Sequence, residues 1–421
     1  MKVMSFKRLK FACYTANITM SVVTNLPPVL FITFRNLYGF SYSLLGLLVL
    51  INYVTQLLVD LVFSFFSHKF NITKAVKMTP VIVVIGLLIY SVWPLIFPQS
   101  AYAGIVIGTV IFSVSAGLAE VLISPVIAAI PSNQPDREMS KLHSVYAWGV
   151  VGVIIISTVF LLIFGGGNWQ WLAITFITIP LISAILFSGT EIPKMETPTK
   201  DFGAFKLLKN KKLWISVIGI FLGGAAECTM AQWSSGYLEQ ALGIEKVWGD
   251  IFGVAVFAVM MGLGRTLYSR IGKSIGRVLF FGVVGATVCY FTAAVSNIPI
   301  IGLLSCAITG FCVSMLWPGS LIVASDRFQD GGVFLYALMA AGGDLGASVG
   351  PQLVGIVTDM TIASPSAMRL AERLNLSCEQ LGMKFGMLAG MLFPLVAIFV
   401  FLYIWKTDNK KHNNIEHPPK Q

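Results

Sequence analysis

The sequence predicts an all-α integral membrane protein of twelve transmembrane helices in two six-helix, pseudo-repeated halves. Three observations carry this. Of 421 residues, 56% are hydrophobic and 11% charged, with a mean hydropathy of +0.81, whereas soluble domains are about half apolar and a quarter charged. The apolar residues form continuous runs near the ~20 residues that span a bilayer as a helix, without the alternation of a barrel strand. Finally, stretches of the first half recur in the second.

Charges, prolines and polar clusters divide the chain into its elements. The basic MKVMSFKR leads directly into an apolar run with no small-residue cleavage site, so a retained first span is expected over 9–33. Five more spans follow at 42–66, 75–97, 102–130, 141–164 and 169–189, completing a first half over 1–189. The polar stretch 190–212, rich in Lys, Pro and Thr, reads as a cytoplasmic linker. The second half, 213–405, holds spans at 213–238, 248–270, 276–296, 299–325, 331–358 and 382–405, and 406–421 is a cytoplasmic tail.

Of the 29 Lys and Arg residues, only Arg35, Lys246, Arg369, Arg373 and Lys384 fall on the outer side of this topology, leaving 24 inside. That asymmetry places both termini in the cytoplasm and fits a bacterial inner (plasma) membrane. The net charge of +10 is thus a topology signal with an attraction to anionic lipid, and no nucleic-acid partner is expected. Cys13, Cys228, Cys289, Cys306, Cys312 and Cys378 show neither CxxC nor His-paired spacing, so they read as small apolar residues. GGG at 165–167 lacks the Lys-Ser/Thr of a phosphate-binding loop. With no ATPase motif, metal cluster or nucleophile triad, neither an enzyme nor a cofactor is expected, and nothing demands more than a monomer.

GLAEVLISP at 117–125 aligns with GFCVSMLWP at 310–318, sharing Gly and Pro at one spacing. Carried forward without a gap, the alignment sets LHSVYAWG (142–149) on LYALMAAG (335–342), matching Leu142 with Leu335, Ala147 with Ala340 and Gly149 with Gly342. A weaker repeat links HKFNITK, 68–74, with SRIGKSIGR, 269–277.

These short loops follow the second span of each half, where the chain resembles the major facilitator superfamily. That family carries an Asp-Arg/Lys-x-Gly-x-Arg/Lys loop there. The second copy keeps Arg270, Gly272, Lys273 and Arg277, while the first has His68 for the acid and Asn71 for the glycine. The resemblance implies two parallel halves that rock about a midplane site, giving alternating access.

Acids at the centre of a span cost about 2.5–3.5 kcal/mol each on insertion scales, so a retained one is a functional hypothesis. Three lie near span centres: Glu120, Glu227 and Asp344. Glu120 aligns with Val313 and Asp344 with Val151, so the shared scaffold needs neither acid at its place. They are candidate proton-coupling groups, cycling between protonated and ionised forms; a hydrogen bond to a neighbouring helix is the competing reading. In ECTMAQWSSGY, 227–237, Glu227 is followed by Gln232, Trp233 and Tyr237. An acid, an amide and rings suit a solute site, although Tyr237 also suits an outer aromatic belt.

Asn17, Asn25, Gln56, Trp148 and Trp317 complete the candidate solute-binding set with Glu120, Glu227, Gln232 and Trp233. Asp60 and Arg265, nearer the cytoplasmic ends of spans 2 and 8, read with Arg270 as a cytoplasmic gate. His143 reads as an interfacial structural residue. The glycines at 342, 346 and 350 recur every four residues and let span 11 approach a neighbour closely.

Within the superfamily, Gly117 with Glu120, Leu142 with His143, and Gly346 with Gly350 and Pro351 resemble the fucose permease group of sugar–proton symporters. The resemblance implies that Glu120 contacts substrate and takes part in proton coupling. Span 1 departs from that group by offering Asn17 and Asn25 in place of an acid, and asparagine cannot titrate. The expected activity is secondary active transport of a sugar or similar polar solute with a proton. A sodium-coupled symporter and a proton-driven exporter of amphipathic organic cations are the alternatives, and a non-transporting membrane sensor is the rival from another class.

Overall fold

The computed structural model describes residues 2–66, 69–131, 135–193, 208–271, 274–328 and 332–416. Among them, helices occupy all twelve expected positions. The first six positions are filled by α1 (Lys2–Val29), followed by the short α2 (Phe31–Tyr38), then α3 (Tyr42–Phe66), α4 (Ile72–Ile96), α5 (Ala101–Ala128), α6 (Pro135–Phe164) and the pair α7 (Trp169–Phe176) and α8 (Thr178–Ser188). The other six are filled by α9 (Lys211–Leu242), α10 (Val256–Ile271), α11 (Ile275–Val295), the pair α12 (Pro299–Val313) and α13 (Leu316–Arg327), α14 (Gly332–Ile362), and α16 (Cys378–Glu416), the last preceded by the short α15 (Pro365–Arg373). Among the described residues, ten candidate spans are long and apolar enough to cross a membrane, or eleven with the bent α1–α2 pair counted as one. Residues of α14, 31 in all, fill the remaining position and carry Asp344.

Breaks in the helices follow from sequence. Pro27 and Pro28 each lack an amide donor, and the chain bends 47° between α1 and α2. Pro318 leaves the carbonyl of Ser314 without its usual helical donor, and the tenth span breaks between α12 and α13 at that point. Pro125, the aligned proline, stands inside an unbroken α5. A π-helical turn, Gly249–Ala255, opens the eighth span, a feature that recurs at functional positions.

The chain divides into two compact units, Met1–Lys200 with Lys246–Ile251, and Asp201–Glu245 with Phe252–Gln421. In the first, α5 packs on α4 and α3, and α1 on α6 and α8. Its core joins Leu9, Ala12, Cys13 and Ala16 of α1 to Phe63, Val76, Leu118, Leu122 and Ile123. In the second, α9 packs on α14 and α16, and α11 on α16 and α12.

The glycine stripe of α14 lies against α9. A Cβ added at Gly346 would run into the Phe221 carbonyl, and one at Gly350 would come 2.9 Å from the Ala225 carbonyl oxygen. All six cysteines are free thiols, in line with their reading as small apolar residues.

Lys384, placed by the sequence on the outer side, is buried and donates from Nζ to the Ala294 and Ser296 carbonyls. It caps the C-terminal end of α11, where the helix dipole and unpaired carbonyls favour a cation. Replacing it by Met leaves one buried and one half-buried acceptor without this donor. We expect Lys384→Met to lower stability by about 1–3 kcal/mol, read as an earlier thermal unfolding in detergent.

Candidate functional site

The geometry in the first unit starts from a glycine. A Cβ on Gly117 would stand 3.0 Å from the Gln56 carbonyl oxygen and 3.0 Å from Val59 Cβ, so the bare backbone lets α3 and α5 run in contact. One turn farther along each helix come Asp60 and Glu120, and their carboxylates each offer an oxygen within 4.8 Å of the other. Asp60 is buried and Glu120 partly so. Asp60 was expected at a gate; the approach at Gly117 brings it to the candidate coupling acid instead. Side chains one turn apart share a helix face, and the face that carries Gln56 also carries Asp60.

The glycine recurs in the second unit. Gly310, aligned with Gly117, would carry a Cβ into the Phe257 carbonyl, and Phe257 takes the place of Gln56 when the loops are aligned on Asn71 and Gly272. The shared scaffold is therefore a close approach of spans 2 and 4, and of spans 8 and 10. Where the first unit has Asp60 and Glu120 one turn on, the second has Met261 and Val313.

The second unit holds a different charged group. Arg265 donates from Nε to the Ser314 carbonyl at 3.0 Å, using the acceptor that Pro318 leaves open. Its Nη2 reaches Glu227 Oε1 at 3.5 Å. Glu227 lies midway along α9, and its Oε2 is buried without a partner among the described residues. Arg265, read as a gate cation, thus pairs with a coupling candidate. Their sequence separation hides the pair, because only the packing of α9, α10 and the α12–α13 break brings them together.

The other candidates are placed as follows. Asn17 Nδ2 donates to the Leu142 carbonyl at 3.0 Å, tying α1 to α6, and Asn25 Nδ2 donates to Ser21 of its own helix at 2.9 Å. Gln56 Nε2 donates to Asn52 Oδ1 at 2.9 Å, and Ser113 Oγ donates to the same oxygen at 2.6 Å. Sequence reading missed that buried network, whose Asn52 and Ser113 carry no charge to mark them.

Trp148 is 72% exposed, whereas Trp233 is fully buried and donates from Nε1 to the Pro351 carbonyl at 2.9 Å. Gln232 is buried beside it. Tyr237 is buried with its hydroxyl on the Ala293 carbonyl, which replaces the aromatic-belt reading. Trp317 lays its ring against Gly343 and Gly224, and Asp344 is buried in α14 next to Gly343. His68, Gly272, Lys273 and the side chains of His143 and Arg270 lie outside the described residues.

Asp250 was also missed. It is fully buried in the π-helical turn, accepts from Thr158 Oγ1 at 3.0 Å and pairs with Lys246 Nζ at 3.2 Å. The signal was present as a lysine four residues before an acid.

Residues 12–351 match the family model described as Major Facilitator Superfamily. The chain belongs to that superfamily. Among curated relatives, Membrane protein MosC of Rhizobium meliloti is 26% identical over 249 residues, 58% of this chain and 56% of MosC, so the match spans about half of that protein. An uncharacterised MFS-type transporter of Yersinia pestis is 23% identical over 288 residues, 68% of this chain and 73% of that one.

Solved structures share the fold. A bacterial homologue of the human lysosomal transporter Spinster superposes with TM-score 0.72 at 14% identity, covering 96% of this chain and 97% of its own. The D-xylose–proton symporter gives 0.71 at 14% identity, covering 96% and 98%. The superfamily chain is a membrane transporter and not an enzyme.

Gly117 offers a test of how the first unit's acids are brought together. An added methyl pushes α3 away by a few tenths of an ångström. Misplacement of this kind costs on the order of tenfold or more in rate. We expect Gly117→Ala to cut transport by about tenfold at unchanged expression and unchanged detergent stability.

Proposed function

We propose that the protein is a secondary active transporter that works by alternating access and carries a sugar or similar polar small solute inward with a proton. The halves 1–189 and 213–405 are the moving parts in this reading, with 190–212 as the cytoplasmic linker. The observation that carries the proposal is the Asp60–Glu120 pair. Two ionised carboxylates within 4.8 Å repel by about 3 kcal/mol at an effective dielectric near 20. A proton held on the pair relieves that repulsion, and its loss restores it. Such a pair couples protonation to whichever arrangement brings the carboxylates together.

Further support comes from the polar groups around the acids. The buried Asn52–Gln56–Ser113 network, one turn from Asp60, fixes a row of hydrogen-bonding groups along α3. The fold relative that transports D-xylose with a proton is compatible with this substrate class.

The experiment is solute uptake into proteoliposomes across an imposed pH gradient, using labelled sugars and polyols. Accumulation driven by an acidic exterior and abolished by a protonophore is expected. Accumulation that follows a sodium gradient at constant pH, or extrusion of cationic dyes without sugar uptake, contradicts the proposal.

A further inference from the structure

The Arg265 guanidinium is only partly used. Its Nε is fixed on Ser314, its single contact to Glu227 is a long one, and Nη1 has no partner among the described residues. The side chain is 44% exposed. A cation with open donors within a membrane span is stable only where it faces water or a ligand, since lipid cannot solvate it. A guanidinium whose Nε edge is already held presents its Nη1–Nη2 edge, and that edge matches two oxygens of a carboxylate.

Glu227 is 15% exposed, and its Oε2 is buried without a partner among the described residues. It therefore compensates the charge of Arg265 through one long contact to Nη2 and leaves Nη1 of the fork open. One turn before Glu227, the ring of Trp317 lies against Gly224, so an aromatic ring stands one helical turn from the counter-ion of Arg265. A cation with an open fork and an aromatic face are the two elements that hold a small organic acid.

We propose that the transported solute carries a carboxylate, which docks end-on across the two Nη atoms of Arg265 and displaces Glu227. The proposal rests on the symport reading and names the substrate class within it: a polar solute, such as a sugar acid, with one anionic group. Glu227 is then the resident counter-ion, which the solute's carboxylate replaces on binding. No bond is made or broken. The arginine keeps one anionic partner whether the site is empty or filled, so it is never left as a bare charge at this depth.

The test uses the full-length protein in proteoliposomes and in detergent, with matched acid and neutral pairs: glucuronate with glucose, and gluconate with sorbitol. The expected result is that at least one acid is taken up about tenfold or more faster than its neutral partner. Arg265→Gln should abolish uptake of that acid, and Arg265→Lys, which keeps the charge and loses the fork, should weaken its binding by about tenfold. Glu227→Gln removes the resident competitor, so equilibrium binding of the acid should tighten severalfold. A purely structural pair gives the opposite result, with Glu227→Gln weakening binding or unfolding the protein.

Thermal unfolding of each variant separates loss of binding from loss of fold. Proton-driven uptake of a neutral sugar that survives Arg265→Gln overturns the anion site and leaves the symport reading standing. Absence of proton-driven uptake for every member of the panel overturns the symport reading itself. Binding of no acid in the panel also overturns the anion site.

Discussion

Glu120→Gln should convert the transporter from concentrative to merely exchanging. Glutamine has the size and hydrogen-bonding reach of a protonated glutamate but cannot release a proton. With Gln at 120, the close pair with Asp60 no longer changes charge. Solute can still enter and leave, and the conformational cycle has lost its link to the proton gradient. The expected outcome is that accumulation against a gradient falls to the equilibrium ratio, while solute exchange between the two sides of the liposome stays within about threefold of wild type. Asp60→Asn should give the same phenotype if the two carboxylates act as one titrating unit. Accumulation retained by the Gln variant would show that the proton is carried elsewhere, with Glu227 and Asp344 as the remaining acids near span centres.

The largest expected effect on stability lies at Gly346. A Cβ there runs into the Phe221 carbonyl and stands 3.0 Å from the Ala225 amide nitrogen. Both atoms belong to the backbone of α9, which cannot step aside as a flexible side chain would. In the bilayer the apolar surroundings supply little drive to bring helices together, so close packing of small residues carries much of the association. Gly346→Leu must separate α9 from α14, and we expect a loss on the order of 3 kcal/mol or more, seen as a collapse of folded yield and of the detergent unfolding temperature. Gly262→Ala is the matched control. An added Cβ there meets nothing within 4 Å, and Ala is the better helix former, so stability should hold or rise by a few tenths of a kcal/mol up to about 1 kcal/mol. Equal unfolding of the Gly346→Leu variant and the wild type would contradict the packing account.

The fold was legible because the bilayer imposes a simple rule. Every backbone donor and acceptor must be satisfied within the chain, so long apolar runs become helices. That is why helices stand at all twelve expected positions, and why the recurrence of Gly117 at Gly310 marks the same close approach in each unit. The glycine stripe of α14 was readable for the same reason, although only the structure names α9 as its partner.

Chemistry was less legible, because pairing depends on how each helix is rotated and which neighbour it meets. Asp60 and Arg265 looked like two ends of one gate; packing gives each its own carboxylate, Glu120 and Glu227 respectively. Lys384 counted as an outer-side cation, yet its four-carbon stem carries the ammonium to buried carbonyls. Tyr237 suited a membrane interface, and its hydroxyl instead satisfies a backbone carbonyl inside the second unit. In each case the residue type was informative and its partner was not, since partners lie tens of residues away.

Proton movement is the quantity closest to the central claim that the Asp60–Glu120 pair carries the coupled ion. Proteoliposomes loaded with a pH-sensitive dye, given transported solute in the absence of any imposed gradient, report it directly. The wild type should acidify the lumen in proportion to solute entry, and Glu120→Gln, in liposomes preloaded with unlabelled solute, should admit labelled solute by exchange with no acidification. Unchanged proton stoichiometry in the Gln variant would contradict the account.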